Sequence, residues 1–288
     1  MIKRLSVIFF FFFSLTVWLY GITDISMLSN NLNDKIDKQL KDNLNRAEFE
    51  EAHYLGMSRP SPAIDGKLTQ HMKDSMRINA ERKPYYAKKS NNATIQLSDR
   101  MISIGKTGLM IGSKIDRWGE KFNRQGIPII QNDVVSMSTI PAMDTLPIRK
   151  GVLTPEQQKD VKAQIFDFQT SMFTMILSKD FQNISLLASQ FLKKIKAFEE
   201  VNSCNLTMVR HLVESVGYIA LHSIDYDKQS KGATRRLSQS FLLVHLVSLR
   251  YAPDIDFQAQ PFHKLGIGIV LNEIPQIPFE KEMINTGN

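Results

Sequence analysis

Four residues with reactive side chains, His211, Glu214, Tyr218 and His222, stand three, four and four positions apart. On a helix that spacing sets them along one face. Met208, Leu212, Val216 and Ile219 mark the neighbouring face as apolar. Covered by a second helix, two imidazoles and a carboxylate in such a row can bind a metal or relay protons. Left in water they form an ordinary solvated face, with Arg210 and Glu214 paired one turn apart. The spacing favours this second reading, and no metal or cofactor is expected. His245, inside a run of Leu and Val, reads as a hydrogen-bonded core histidine.

Other motifs are incomplete. Gly105-Lys106-Thr107 ends like a phosphate-binding loop, but Arg100 stands where that loop needs glycine. Gly266-Ile267-Gly268 lacks the third glycine of a dinucleotide fingerprint. Asp225-Tyr226-Asp227 and Asp254-Ile255-Asp256 have the D-x-D form of metal-dependent sugar-nucleotide transferases. Both follow helix ends, where Asp is a usual turn residue, and no strand–helix series precedes them. The one cysteine, Cys204, excludes an intrachain disulfide framework. Its place before a helix start could lower a thiol pKa, yet the nearest histidine in sequence is two turns away, so it reads as structural. Glu214-Ser215 followed by Ser230-Lys231-Gly232-Ala233 resembles the lytic transglycosylases. The resemblance stops at Thr234-Arg235-Arg236, where that family continues Gly-Leu-Met-Gln. It implies Glu214 as the general acid and base of a peptidoglycan-cleaving enzyme, with His211 and His222 beside it.

Charge is uneven along the 288 residues, whose formal net charge is +7. Residues 56–124 carry 14 Lys and Arg against 6 Asp and Glu, whereas residues 151–288 carry 14 of each. Arg82, Lys83, Tyr85, Tyr86, Lys88, Lys89 and Trp118 mix cations with aromatic rings and are the expected partner-binding residues. In the cytosol such a segment would suggest nucleic acid. Outside it, an acidic protein surface or anionic headgroups are the fitting partners.

The first residues set the compartment. Met1 to Arg4 form a short cationic head, and an uncharged apolar run follows from Leu5 to Ile22. At about 1.5 Å per residue that run reaches across a bilayer's hydrocarbon. Phe9, Phe10, Phe11, Phe12 and Phe13 lie within it, and Trp18 and Tyr20 lie near the far end, where such rings favour the interface. No small-residue cleavage site follows. The expectation is a single-pass anchor in a bacterial inner membrane, head in the cytoplasm and body in the periplasm, where nucleic acid is no partner.

The elements follow from periodicity. Leu28, Leu32, Ile36, Leu40 and Leu44 give residues 23–58 an amphipathic stalk helix, and residues 27–47 offer a seam for a homodimer. Prolines 60 and 62 end it. A second short helix is expected from about Asp65 to Arg82, stopped by Pro84. Glycines and prolines punctuate the rest of 59–150, which reads as a loosely structured basic arm with short strands at 94–97 and 101–104. Thr154-Pro155-Glu156-Gln157 is a helix-start signature. It opens an antiparallel helical bundle over 151–253, and residues 254–288 read as an extended tail with two strands. The fold class is therefore mainly α.

No motif assigns an activity. The layout suits an exported, membrane-anchored accessory protein that binds another protein, as chaperone or neutralising partner of an exported client. The alternatives are the peptidoglycan-cleaving enzyme using Glu214 and a structural subunit of an envelope assembly.

Overall fold

The computed structural model of the chain describes residues 27–45, 66–124, 126, 147–274, 277 and 279. The expected anchor, residues 5–22, lies outside them, and no described helix is long and apolar enough to cross a membrane. The described residues are helices joined by turns, with no strand among them. Helix α1 covers residues 27–45. It is followed by α2 (Lys67–Lys89), α3 (Ile95–Arg124), α4 (Pro155–Ser178), α5 (Phe181–Asn202), α6 (Thr207–Gln229), α7 (Arg235–Leu249) and α8 (Ala252–Lys264).

The C-terminal bundle forms where periodicity places it. Thr154 and Gln157 close the capping box at the start of α4. Val161, Ile165, Phe168, Met172 and Ile176 line its buried face, and Phe181, Ile184, Ala188, Phe191 and Ile195 line that of α5. Helix α7 lies at the centre, against α3, α4, α6 and α8. Leu237, Leu242, Leu243, Leu246 and Leu249 are all fully buried, and Ser238, Gln239 and Ser240 are buried beside them, so the helix is enclosed on most sides.

The basic arm is not loose. Residues 66–124 form two long helices packed together, and the strands expected at 94–97 and 101–104 are the start of α3. The glycines that read as breaks lie on one face of that helix. A Cβ on Gly105 would sit 2.6 Å from Met76 Cγ, one on Gly108 2.9 Å from Met72 Sδ, and one on Gly112 3.2 Å from Leu68 Cγ. They let α3 approach α2 closely, and that packing outweighs glycine's poor helix propensity. Helix α2 also runs through Pro84. The ring lies on the exposed side, where the freed carbonyl can turn to water.

Two further expectations are corrected. The seam of α1 is used within the chain: Leu32, Ile36, Leu40 and Leu44 are buried in the same core as Ile115 and Trp118. Asp37 also takes both oxygens to Arg250, at 3.1 Å each. The tail residues Ile255, Phe257 and Ala259 belong to α8, and residues 265–274 are turns rather than a strand. An apolar alternation three residues long fits a buried helix as well as a strand. At the start of α6, Asn205 Oδ1 accepts from Arg149 N at 2.8 Å, and the N-cap is Leu206.

The architecture contains one hairpin twice. Ser90-x-x-Ala93-Thr94-x-x-Leu97-Ser98 recurs as Ser230-x-x-Ala233-Thr234-x-x-Leu237-Ser238. The match extends in register, without a gap, from His71 and His211 through Tyr86 and Tyr226 to Asp116 and Asp256. The hydrogen bonds match too. In the first turn Thr94 N donates to Ser90 Oγ at 3.1 Å and Asn92 N to Ala87 O at 2.7 Å. In the second, Thr234 N donates to Ser230 Oγ at 3.1 Å and Gly232 N to Asp227 O at 3.0 Å. Both turns pass through left-handed residues, Asn91 and Asn92 in one, Lys231 and Gly232 in the other.

An aspartate closes each copy. Asp116 accepts from Leu68 N at 3.2 Å and Thr69 N at 2.6 Å, and Asp256 from Met208 N at 2.9 Å and Val209 N at 3.0 Å. Neither Gly66 nor Leu206, the two N-cap residues, supplies a side-chain cap. The carboxylates satisfy the orphan donors of the helix start instead. Gly66 is required for this, since its Cβ would fall 2.2 Å from Asp116 Cγ. Asp116→Ala should therefore lower unfolding stability by about 2 kcal/mol, measured by urea denaturation. Thr154→Ala, at an exposed cap, should cost about 1 kcal/mol.

Candidate functional site

The richest polar chemistry lies where α5, α6 and α8 meet. Two acids surround the start of α6. Glu199, 1% exposed, accepts from Leu206 N through Oε1 and from Arg210 Nη1 at 2.9 Å through Oε2. Asp256 is fully buried next to it. Burial pushes the Asp256 carboxyl up to about 8, and the Glu199 charge adds to that. The two backbone N–H donors and Arg210 pull the other way. Arg210 thus pairs with Glu199. Cys204 is fully buried in this cluster, and burial raises its thiol to about 12, aided by Glu199 and Asp256. It is a thiol at neutral pH and no nucleophile.

From Asp256 a buried polar stripe continues along α8. Gln260 Oε1 accepts from Leu153 N at 2.9 Å, and His263 Nε2 lies 2.8 Å from Ile269 O. Asp256, Gln260 and His263 are each fully buried. One face of one helix therefore ties together the start of α6, the segment leading into α4 and the chain after α8. His263 is held below its ordinary pKa, first by burial.

A second polar cluster joins residues 265–274 to α2. Glu273 is 3% exposed, and Tyr86 and Asn272 are also buried. Burial pushes the Glu273 carboxyl up to about 7 against the pull of the Arg82 charge. Burial and the charge of Glu273 push Tyr86 up to about 12. Tyr86 Oη faces Arg82, Asn272 and Glu273 in that enclosed space.

The residues expected from sequence are dispersed over these elements. Tyr86 and Trp118 are buried, so their rings offer no surface to a partner. Lys83 pairs with Asp99, and Lys89 lies 4.6 Å from the centre of the Tyr85 ring. Lys88 is exposed, and the Arg82 tip faces the second cluster. His211, Glu214, Tyr218 and His222 do share a half-buried face of α6, with the Tyr218 and His222 rings 4.2 Å apart. Among the described residues no group of three or more His, Cys, Asp or Glu is placed to hold a metal. The D-x-D pairs come apart: Asp227 takes Arg235 at 2.6 and 2.7 Å, Asp254 takes Lys162, and Asp256 caps α6. His245 bonds Phe241 O at 2.8 Å, as a core histidine does.

Asp116, Glu199, Gln260, His263 and Glu273 were not singled out by motif, and Asp256 only as part of a D-x-D pair. The signal that finds the two aspartates is the repeat itself, since both follow the Ser-x-x-Ala-Thr turn at the same distance. No family model matches the chain, and neither a curated protein nor a solved structure proves similar to it.

The Asp256 carboxyl binds its proton more tightly in the folded than in the unfolded chain. Its contribution to stability is therefore full at pH values below about 4 and declines as pH rises to about 8. The urea midpoint should fall from pH 5 to pH 8.5, and Asp256→Asn should flatten that fall. An equally steep profile in the variant would refute the assignment.

Proposed function

We propose that this chain is an exported protein, held to the membrane by residues 5–22, whose helical body binds an exported client as chaperone or neutralising partner. The observation that carries the binding half is the rigid basic surface of the first hairpin. Lys88, Arg100, Lys106 and Arg117 are exposed on α2 and α3, within the most cationic stretch of the sequence. Two packed helices hold such charges at fixed positions, which favours complementary docking over diffuse attraction. The acids and the thiol of the body are already engaged in its own helix starts. They read as architecture rather than reacting groups. The export half rests on the cationic head and apolar run at residues 1–22.

An acidic client surface is the matching partner. Full-length protein purified from envelope fractions should carry a stoichiometric client, and the complex should weaken as salt is raised. Lys88→Glu with Arg100→Glu and Lys106→Glu should reduce association at least tenfold while leaving the circular dichroism spectrum unchanged. Undiminished association would remove the basic hairpin from the interface. A reporter at the C-terminus should report the periplasmic side; a cytoplasmic readout would remove export.

A further inference from the structure

The chain after α8 combines features that a purely structural segment avoids. Residues 265–274 lie over the first hairpin, and Ile277 and Phe279 continue onto the second. Ile267, Ile269 and Val270 pack with Tyr86, Leu97, Met101, Ile255 and Ala259. Phe279 is fully buried against α6, where a Cβ on Gly217 would fall 2.2 Å from its Cζ. The segment thus straps both copies of the hairpin, with one apolar seat on each.

Its attachment to α2 is costly in two ways. Val270 has φ +76°, a left-handed conformation that a β-branched residue rarely adopts. Glu273 brings a carboxyl into the buried space beside Arg82 and Tyr86. Apolar packing has to offset both. By contrast the same chain is well tied at its root, through His263 to Ile269 O and Asn272 Nδ2 to Gly268 O. The costs gather at the Glu273 end.

We propose that residues 265–274, with Ile277 and Phe279, form a detachable strap, latched at Glu273 against Arg82 and Tyr86, that occupies a groove used by an extended apolar segment of a partner. The strap indicates the chemistry of its replacement: two or three aliphatic side chains in succession, and a neutral residue where the strap has Glu273. Strap release stands by itself, and only the identity of the occupant rests on the client-binding reading.

The latch responds to pH. Arg82 and Tyr86 of α2 face Glu273, while His263 of α8 is engaged with Ile269 O. Arg82 favours the ionised carboxylate, but burial outweighs it and raises the carboxyl to about 7. The closed strap therefore holds a proton that the free strap would lose near the ordinary value of 4.5. Closure is strongest below that value, weakens as pH rises and levels off above about 7.

Hydrogen exchange of the full chain, corrected for intrinsic rates, tests this. Exchange across residues 265–274 should rise by up to about tenfold per pH unit between pH 5 and 7 and then plateau, with α7 equally protected throughout. Glu273→Gln should keep the strap protected at every pH. A response that is flat, that includes α7, or that survives Glu273→Gln would overturn the latch. Asp256 titrates nearby in pH, and survival in Glu273→Gln is the outcome that would implicate it. A labelled peptide of residues 265–280 carrying Glu273→Gln should bind the full chain at pH 8 and not at pH 5. Strap opening without peptide binding would overturn the groove while leaving the basic surface of the first hairpin untouched.

Discussion

The structure depends on two carboxylates that finish helices to which they do not belong. A helix start exposes N–H groups that must find acceptors, and a serine or aspartate at the N-cap usually provides one. Helices α2 and α6 begin at Gly66 and Leu206, which provide none. The acceptors arrive from 47 and 48 residues downstream, on Asp116 and Asp256. A local cap stabilises its own helix whether or not the rest folds. These caps form only once each hairpin has closed, so secondary and tertiary structure are completed together. At α6 the coupling is wider, since Glu199 from α5 takes the N–H of Leu206 and the side chain of Arg210. Three helices therefore meet at one set of backbone donors.

That arrangement explains why buried acids are tolerated. An isolated buried carboxylate is expensive, but one that accepts two N–H bonds at a helix start is partly compensated. The compensation at Asp256 is incomplete, as its upward shift shows. At Glu273, Arg82 and Tyr86 of α2 oppose the burial, and the carboxyl is still pushed up to about 7. The two acids are thus alike in burial and opposite in role. Asp256 sits where every surrounding element needs it, and Glu273 sits on a segment that can leave.

How far the sequence discloses this fold varies with the physics of each part. The bundle of α4 and α5 is legible because apolar residues recur every three or four positions behind a local capping box. The first hairpin is hidden because its packing rests on Gly105, Gly108 and Gly112, whose contribution is the absence of a side chain. Read locally, glycine is a breaker; at i, i+3 and i+7 it is a groove. Pro84 misleads in the same way, since its cost depends on which side of the helix faces water. Tyr86 and Trp118 look like interface aromatics by composition but are taken by the core. Of the polar sites, the α6 face is visible as a spacing and Lys88 as an exposed cation. The clamps are not, because an acceptor and donors nearly fifty residues apart leave no local pattern. The repeated Ser-x-x-Ala-Thr-x-x-Leu-Ser turn is the one trace of them, and it requires comparing the chain with itself.

The two copies also show what divergence within one frame achieves. The first keeps its second helix continuous through Arg124, which brings Trp118 and Phe122 into the core. The second breaks at Arg250 and Tyr251, with Pro253 standing where the first copy has Ser113. The break leaves the clamp intact, since Asp256 still reaches the start of α6 at the same separation. What changes is the direction of the residues beyond it. Gln260 can then reach Leu153 and His263 can reach Ile269, so the turned helix gathers both the entry to α4 and the root of the strap. The small residues move accordingly. His245 replaces Gly105 on the second helix, while Gly217 on the first helix of that copy makes the notch for Phe279. One copy uses its glycines to seat a neighbouring helix, and the other uses its glycine to seat the end of the chain. The asymmetry follows from that single exchange and makes the strap part of the second hairpin's design.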